Sequence, residues 1–123
     1  MTALWVGAAS VLGALARFAL DAWFTRRRRP TGVSFPVATL VVNVAGSLLI
    51  GWCYGLLDGG ALGARAYPVA AAGLAGGLTT FSSFSVASLT LFLDGRRWAA
   101  AVNVTANLAL GVAAAALGRL LAA

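Results

Sequence analysis

Apolar residues run along this chain in four long blocks, about Ala3 to Phe24, Phe35 to Leu57, Tyr67 to Leu93 and Arg97 to Leu121, and the charged residues gather between them. Each block holds about 20 residues or more, the length that crosses a hydrocarbon core ~30 Å thick. The pattern predicts an all-α membrane protein with four transmembrane helices, joined by short loops into a single domain over residues 1–123, with no linker and no internal repeat. Pro36 suits the first turn of the second helix, and Asp58-Gly59-Gly60 closes it. Four helices make a small bundle, so enclosing a pathway calls for more than one chain.

The third block carries an interruption. Gly76 and Gly77 are followed by Thr79 and Thr80, and then Phe81 and Phe84 project from nearly one face. The glycine pair predicts a third helix broken near its first third. Non-helical backbone at membrane depth is tolerated only where it is buried in protein or lines a polar cavity. The run GGLTTFSSF at residues 76–84 therefore predicts a site, and a site in the bilayer predicts transport.

At 61% hydrophobic, the chain cannot cover a soluble surface. Its charges are nine arginines and three aspartates, a net +6. Basic residues at the ends of apolar segments set topology, so this charge is not a nucleic-acid footprint. Arg26 to Arg29 with Arg96 and Arg97 put six arginines on one side of the membrane, against Arg65 and Arg119 on the other. The positive-inside rule then places both termini outside. The first apolar run precedes its basic cluster, the reverse of the order in a cleaved leader. Cys53, inside an apolar helix, is expected to behave as a small buried hydrophobe. The chain has no histidine and no glutamate, which removes the usual metal ligands and most acid–base chemistry and argues against an enzyme.

Polar residues within the blocks fall on helical stripes. In the second helix Thr39, Asn43, Ser47, Gly51 and Gly55 recur every four residues, so one face is small or polar from end to end. Such a face serves either close helix packing or a polar lining. Asn43 is the sharper case: a carboxamide in the membrane is costly unless partnered, and its NH2 can donate to an anion. In the fourth helix Asn103, Asn107, Gly111 and Ala115 repeat the device, again as packing or as a polar track. In the first, Arg17 either snorkels with Asp21 as its i,i+4 partner or supplies a fixed charge that draws anions into a vestibule. In the third, Thr80, Phe84 and Ser88 share one stripe and Phe81 and Ser85 the next, with further hydroxyls at Thr79, Ser82 and Ser83. A phenyl ring has a positive edge, so edges turned inward can stabilise a small anion that has lost its water. Carbonyls freed at the break can coordinate a cation.

Three motifs belong together: Gly13-Ala14-Leu15-Ala16-Arg17, the run from Thr39 through Asn43 to Ser47, and GGLTTFSSF. At this spacing, in a four-span chain this short, they resemble the fluoride channels of the Fluc (CrcB) family over essentially the whole sequence. The resemblance implies a dual-topology dimer, two chains lying antiparallel in the cell membrane with two narrow fluoride pores along their interface. It implies passive export of cytoplasmic fluoride, and so fluoride resistance. Phe81 and Phe84 would be the pore phenylalanines and Asn43 the pore amide. Thr80 and Ser85 would add hydroxyls beside them. Asn107 falls where the family often carries a pore-lining serine or threonine, with Asn103 one turn before it. Arg17 matches the family's first-helix arginine at the vestibule. The backbone carbonyls of Gly76 and Thr79 match those that hold a structural sodium ion, Na+, between the subunits.

Two departures stand out. Ala87 occupies a position where many members carry glutamate, and the six-to-two arginine bias suits a single orientation. The second subunit is therefore either another copy or a related chain inserted the opposite way. Two other readings are a non-conducting assembly subunit, whose polar stripes serve packing only, and a small multidrug exporter. The exporter needs a membrane-embedded carboxylate, and the aspartates here lie at or near helix ends.

Overall fold

Length and apolarity along the chain produce four membrane-spanning segments. The computed structural model describes residues 1–27 and 34–123; Arg28, Arg29 and Pro30 of the basic cluster lie outside the described residues. The first helix is Thr2–Arg27, the second Val37–Asp58, the third span Ala66–Leu93 and the fourth helix Arg97–Leu121. Each is long and apolar enough to cross a membrane. Leu4, Leu12, Leu93 and Leu117 are exposed on the outside, where lipid tails are as apolar as they are. The first helix runs on to Arg27, past the expected end at Phe24. Arg27 stacks over the Trp23 ring at 4.4 Å, and a cation at a helix C-terminus is favourable.

Glycines bring the backbones together. A Cβ at Gly51 would run into the Ala115 carbonyl, one at Gly118 into the Leu48 carbonyl, and one at Gly55 would lie 2.7 Å from the Arg119 carbonyl. The second and fourth helices therefore touch along their length. The first helix meets the first half of the third span in the same way. Gly13 sits against Leu74 and Leu78, Gly77 against Ser10, and a Cβ at Gly73 would lie 2.9 Å from the Val6 carbonyl. Without a hydrophobic drive between helices in lipid, such close van der Waals contact is what holds them. The small-residue stripe of the second helix is thus divided: Gly51 and Gly55 pack, while Thr39, Asn43 and Ser47 turn toward the cavities described below.

The third span is broken, but not where the glycines predict. Ala66–Pro68 is α-helical, Val69–Ala75 widens to a π-helix, and Gly76–Leu78 is α-helical again. Gly76 has ordinary helical angles, φ −63° and ψ −39°. The chain extends instead at Thr79 (φ −78°, ψ 158°) and Thr80 (φ −147°, ψ 119°) before a second helix, Phe81–Leu93. Gly77 is held in the helix by its seat on the Ser10 backbone, and β-branched threonines accept extended angles readily. The Thr80 hydroxyl then caps the new helix by accepting from the Ser83 N–H at 3.2 Å. This moves the break from the expected first third to the middle of the span, with roughly 20 Å of helix on either side.

The second half of the third span ends in a Schellman turn. Gly95 takes φ 79°, the Gly95 N–H donates to the Phe92 carbonyl at 3.2 Å, and the Arg96 N–H donates to the Leu91 carbonyl at 2.9 Å. At the opposite end of the bundle an exposed ion pair, Arg119 to Asp58 at 3.4 Å, ties the fourth helix to the second.

Candidate functional site

Breaking a helix in lipid frees backbone groups that must find partners. Thr80 is only 7% exposed, so water does not supply them. Asn43 does. Its Oδ1 accepts the Thr80 N–H at 2.8 Å, and its Nδ2 donates to the Thr80 carbonyl at 3.2 Å. One side-chain amide therefore replaces both bonds that a continuous helix would have given Thr80. The second N–H of Asn43 donates to Oδ1 of Asn107 at 3.0 Å.

From Asn107 the bonding continues inward. Its Nδ2 donates to the Asn103 carbonyl at 2.8 Å and to Asn103 Oδ1 at 3.0 Å. Asn103 donates to Ser88 Oγ at 2.9 Å, and the Ser88 hydroxyl donates to the Phe84 carbonyl at 2.8 Å. Three amides and a hydroxyl thus join the second helix, the fourth helix and both ends of the Phe81–Phe84 segment.

Phe81 and Phe84 stand over this floor. Their ring centroids are 5.9 Å apart with the planes at 47°, inside the range of favourable edge contacts. With Asn43, Ser47, Thr80 and Asn107 they line a groove of about 480 Å³ on the surface of the chain. Phe81 is 80% exposed there. A second cavity, about 680 Å³, is lined by Arg17, Asp21, Thr39, Ser82, Ser83 and Ala87 among others. Thr80 lines both. The arginine cavity and the phenylalanine groove therefore meet at the break.

The other expected positions fall as follows. Asn103 is fully enclosed, so it backs the groove instead of facing it; Asn107, one turn on, stands between them. Ser85 lines neither cavity, because the turn of the helix carries it away from Phe84. Arg17 reaches its cavity, but among the described residues the expected ion pair with Asp21 is not formed. Ser88 was visible only as a stripe position; its place in the bonding depends on which face of the fourth helix crosses it. Ala87 belongs to the arginine cavity and not to the groove.

The break also loosens two carbonyls. The Thr80 N–H, due to Gly76 in an unbroken helix, goes to Asn43, leaving the Gly76 carbonyl, among the described residues, with only the Thr79 hydroxyl at 3.2 Å. The Ser83 N–H, due to Thr79, is capped by Thr80. Gly76 is exposed, and a Cβ there would meet nothing nearer than the Ala71 carbonyl at 3.8 Å. Two carbonyls beside an open glycine are oxygen donors of the kind a hard cation takes.

Broken helix, amide floor, phenyl walls and arginine cavity sit together in a chain with four segments long and apolar enough to cross a membrane. Residues 4–119 match the family described as CrcB-like protein, Camphor Resistance (CrcB). The chain is 47% identical over 126 residues to the fluoride-specific ion channel FluC of Renibacterium salmoninarum, with both sequences covered in full. It is 41% identical to the fluoride-specific ion channel FluC 2 of Rhodococcus jostii over 96% of each sequence. It is 43% identical to the fluoride-specific ion channel FluC 2 of Symbiobacterium thermophilum, over 95% of this chain and 94% of that one. The chain belongs to the CrcB family, as its three motifs implied.

Proposed function

We propose that this chain is a passive, fluoride-selective channel of the plasma membrane that exports cytoplasmic fluoride. One observation carries the reading: the Phe81–Phe84 pair stands beside the Asn43 and Asn107 amides at a mid-span break, in a chain whose relatives are named fluoride-specific ion channels.

An anion without water at this depth needs compensation. Arg17, which together with Asp21 lines the cavity that Thr80 shares with the groove, places a guanidinium where an entering anion can meet it. The helix starting at Phe81 points its positive end into the break. Ring edges then replace hydration over the apolar stretch. Both N–H groups of Asn43 are already bonded, so a donor reaches the ion by exchange: fluoride takes the place of Asn107 Oδ1 as acceptor. Small size and strong hydrogen-bond acceptance favour fluoride in that exchange.

A second chain, inserted the opposite way, closes the groove over the exposed Phe81. It is a further copy of this chain or a related subunit. Between the two, the Gly76 and Thr79 carbonyls of each would hold a structural sodium ion, which supplies attraction between chains and takes no part in conduction.

Fluoride efflux from reconstituted vesicles tests the assignment. Phe81→Ile and Phe84→Ile should each abolish flux while the proteins still assemble. Persistence of wild-type flux in both variants would remove the phenylalanines from the path and favour the assembly-subunit reading.

A further inference from the structure

The amide ladder has a direction, and both ends fix it. At one end the Thr80 N–H requires the oxygen of Asn43 (2.8 Å). At the other the Phe84 carbonyl takes the only proton of the Ser88 hydroxyl (2.8 Å), so Ser88 Oγ can only accept from its neighbour. Asn103 must then present its NH2 to Ser88 and its oxygen to Asn107. Asn107 in turn presents NH2 inward and oxygen toward Asn43. Flipping any one amide sets two donors or two acceptors face to face at the next step. Asn103 is 0% exposed, so water cannot relieve such a mismatch, and unpaired polar groups at low dielectric are costly.

We propose that Ser88 and Asn103 are positioning residues for the conduction path. They touch no ion. Acting through Asn107, they hold the Asn43 amide with its N–H groups toward Asn107 and the Thr80 carbonyl. The same ladder runs from Thr80, the residue before Phe81, to the carbonyl of Phe84. The role of these residues in conduction rests on the fluoride-channel reading; the ladder itself does not.

The chain offers a clean probe, since it has three asparagines and no glutamine. Asparagine labelled with nitrogen-15 in the side chain gives three NH2 pairs in a lipid nanodisc, with no fluoride needed. Ser88→Ala should shift the Asn43 pair as well as the Asn103 and Asn107 pairs, and should slow fluoride efflux about fivefold, the effect of one net hydrogen bond. Ser88→Cys, close in size but a weak donor, should move the same resonances by less. Ser88→Thr keeps the hydroxyl and should restore both flux and spectrum. Thr90→Ala removes a similar hydroxyl-to-carbonyl bond (Thr90 to Val86, 2.8 Å) outside the ladder and should shift none of the three. The proposal is overturned if Ser88→Ala moves Asn103 alone, or if Ser88→Ala and Ser88→Thr slow efflux equally. Shifted Asn43 resonances in a protein whose wild type passes no fluoride would sink the channel reading and leave the ladder standing.

Discussion

Removing the Asn43 side chain should weaken the fold at one point more than anywhere else. Asn43→Ala deletes three hydrogen bonds: Thr80 N–H to Oδ1 (2.8 Å), Nδ2 to the Thr80 carbonyl (3.2 Å), and Nδ2 to Asn107 (3.0 Å). Asn107 lines the groove, where its freed oxygen can meet water. Thr80, 7% exposed, cannot. Each buried group left unpaired costs about 1–3 kcal/mol. Interhelical side-chain bonds in bilayers average nearer ~0.6 kcal/mol, because the unfolded chain in the membrane also finds partners. Three such bonds set a floor of about 2 kcal/mol, and two orphaned groups on Thr80 set a ceiling of about 6 kcal/mol, so a loss of about 3 kcal/mol is expected. Two assays read it: unfolding in mixed micelles, and hydrogen exchange at the Thr80 amide, which should speed up roughly 100-fold. A change in unfolding free energy below ~0.5 kcal/mol with unchanged exchange at Thr80 would refute the idea that this side chain holds the break.

Other consequences follow from the packing and the loosened carbonyls. Gly51→Leu would drive a side chain into the Ala115 backbone, which cannot yield as a flexible side chain would. A loss of about 3 kcal/mol or more is expected on unfolding in micelles. Gly76→Leu meets open space within one chain. It should leave the fold of that chain intact while impairing assembly with a second one, read by cross-linking. Replacing sodium by a large organic cation should likewise reduce the assembled fraction and leave the fluoride rate of each assembled channel unchanged.

Much of this architecture was legible in the sequence because a bilayer constrains so few variables. Block length gave the spans, and the motif spacing gave the family. The glycine pair signals a break through its conformational freedom, and the fold breaks instead at Thr79 and Thr80. In the fold Gly77 is used for close approach to Ser10, a demand made by another helix and absent from local sequence. The stripes of Asn43, Asn103 and Asn107 were visible, but not their division of labour. Burial of Asn103 and exposure of Phe81 depend on how the fourth helix crosses the third span. The π-helical stretch Val69–Ala75 carries no local signal at all. It accompanies the tight seat of Gly73 on the first helix, a tertiary effect. The i,i+4 spacing allows Arg17 to pair with Asp21, yet the two line the same cavity beside Thr80 and, among the described residues, form no ion pair.

The most direct measurement is ion efflux from vesicles reconstituted with the purified chain, together with any subunit that co-purifies with it, loaded with fluoride or with chloride. A groove walled by Phe81 and Phe84 and fed from the Arg17 cavity predicts that fluoride empties rapidly and chloride stays. Retained fluoride, or chloride leaving as fast, would contradict it.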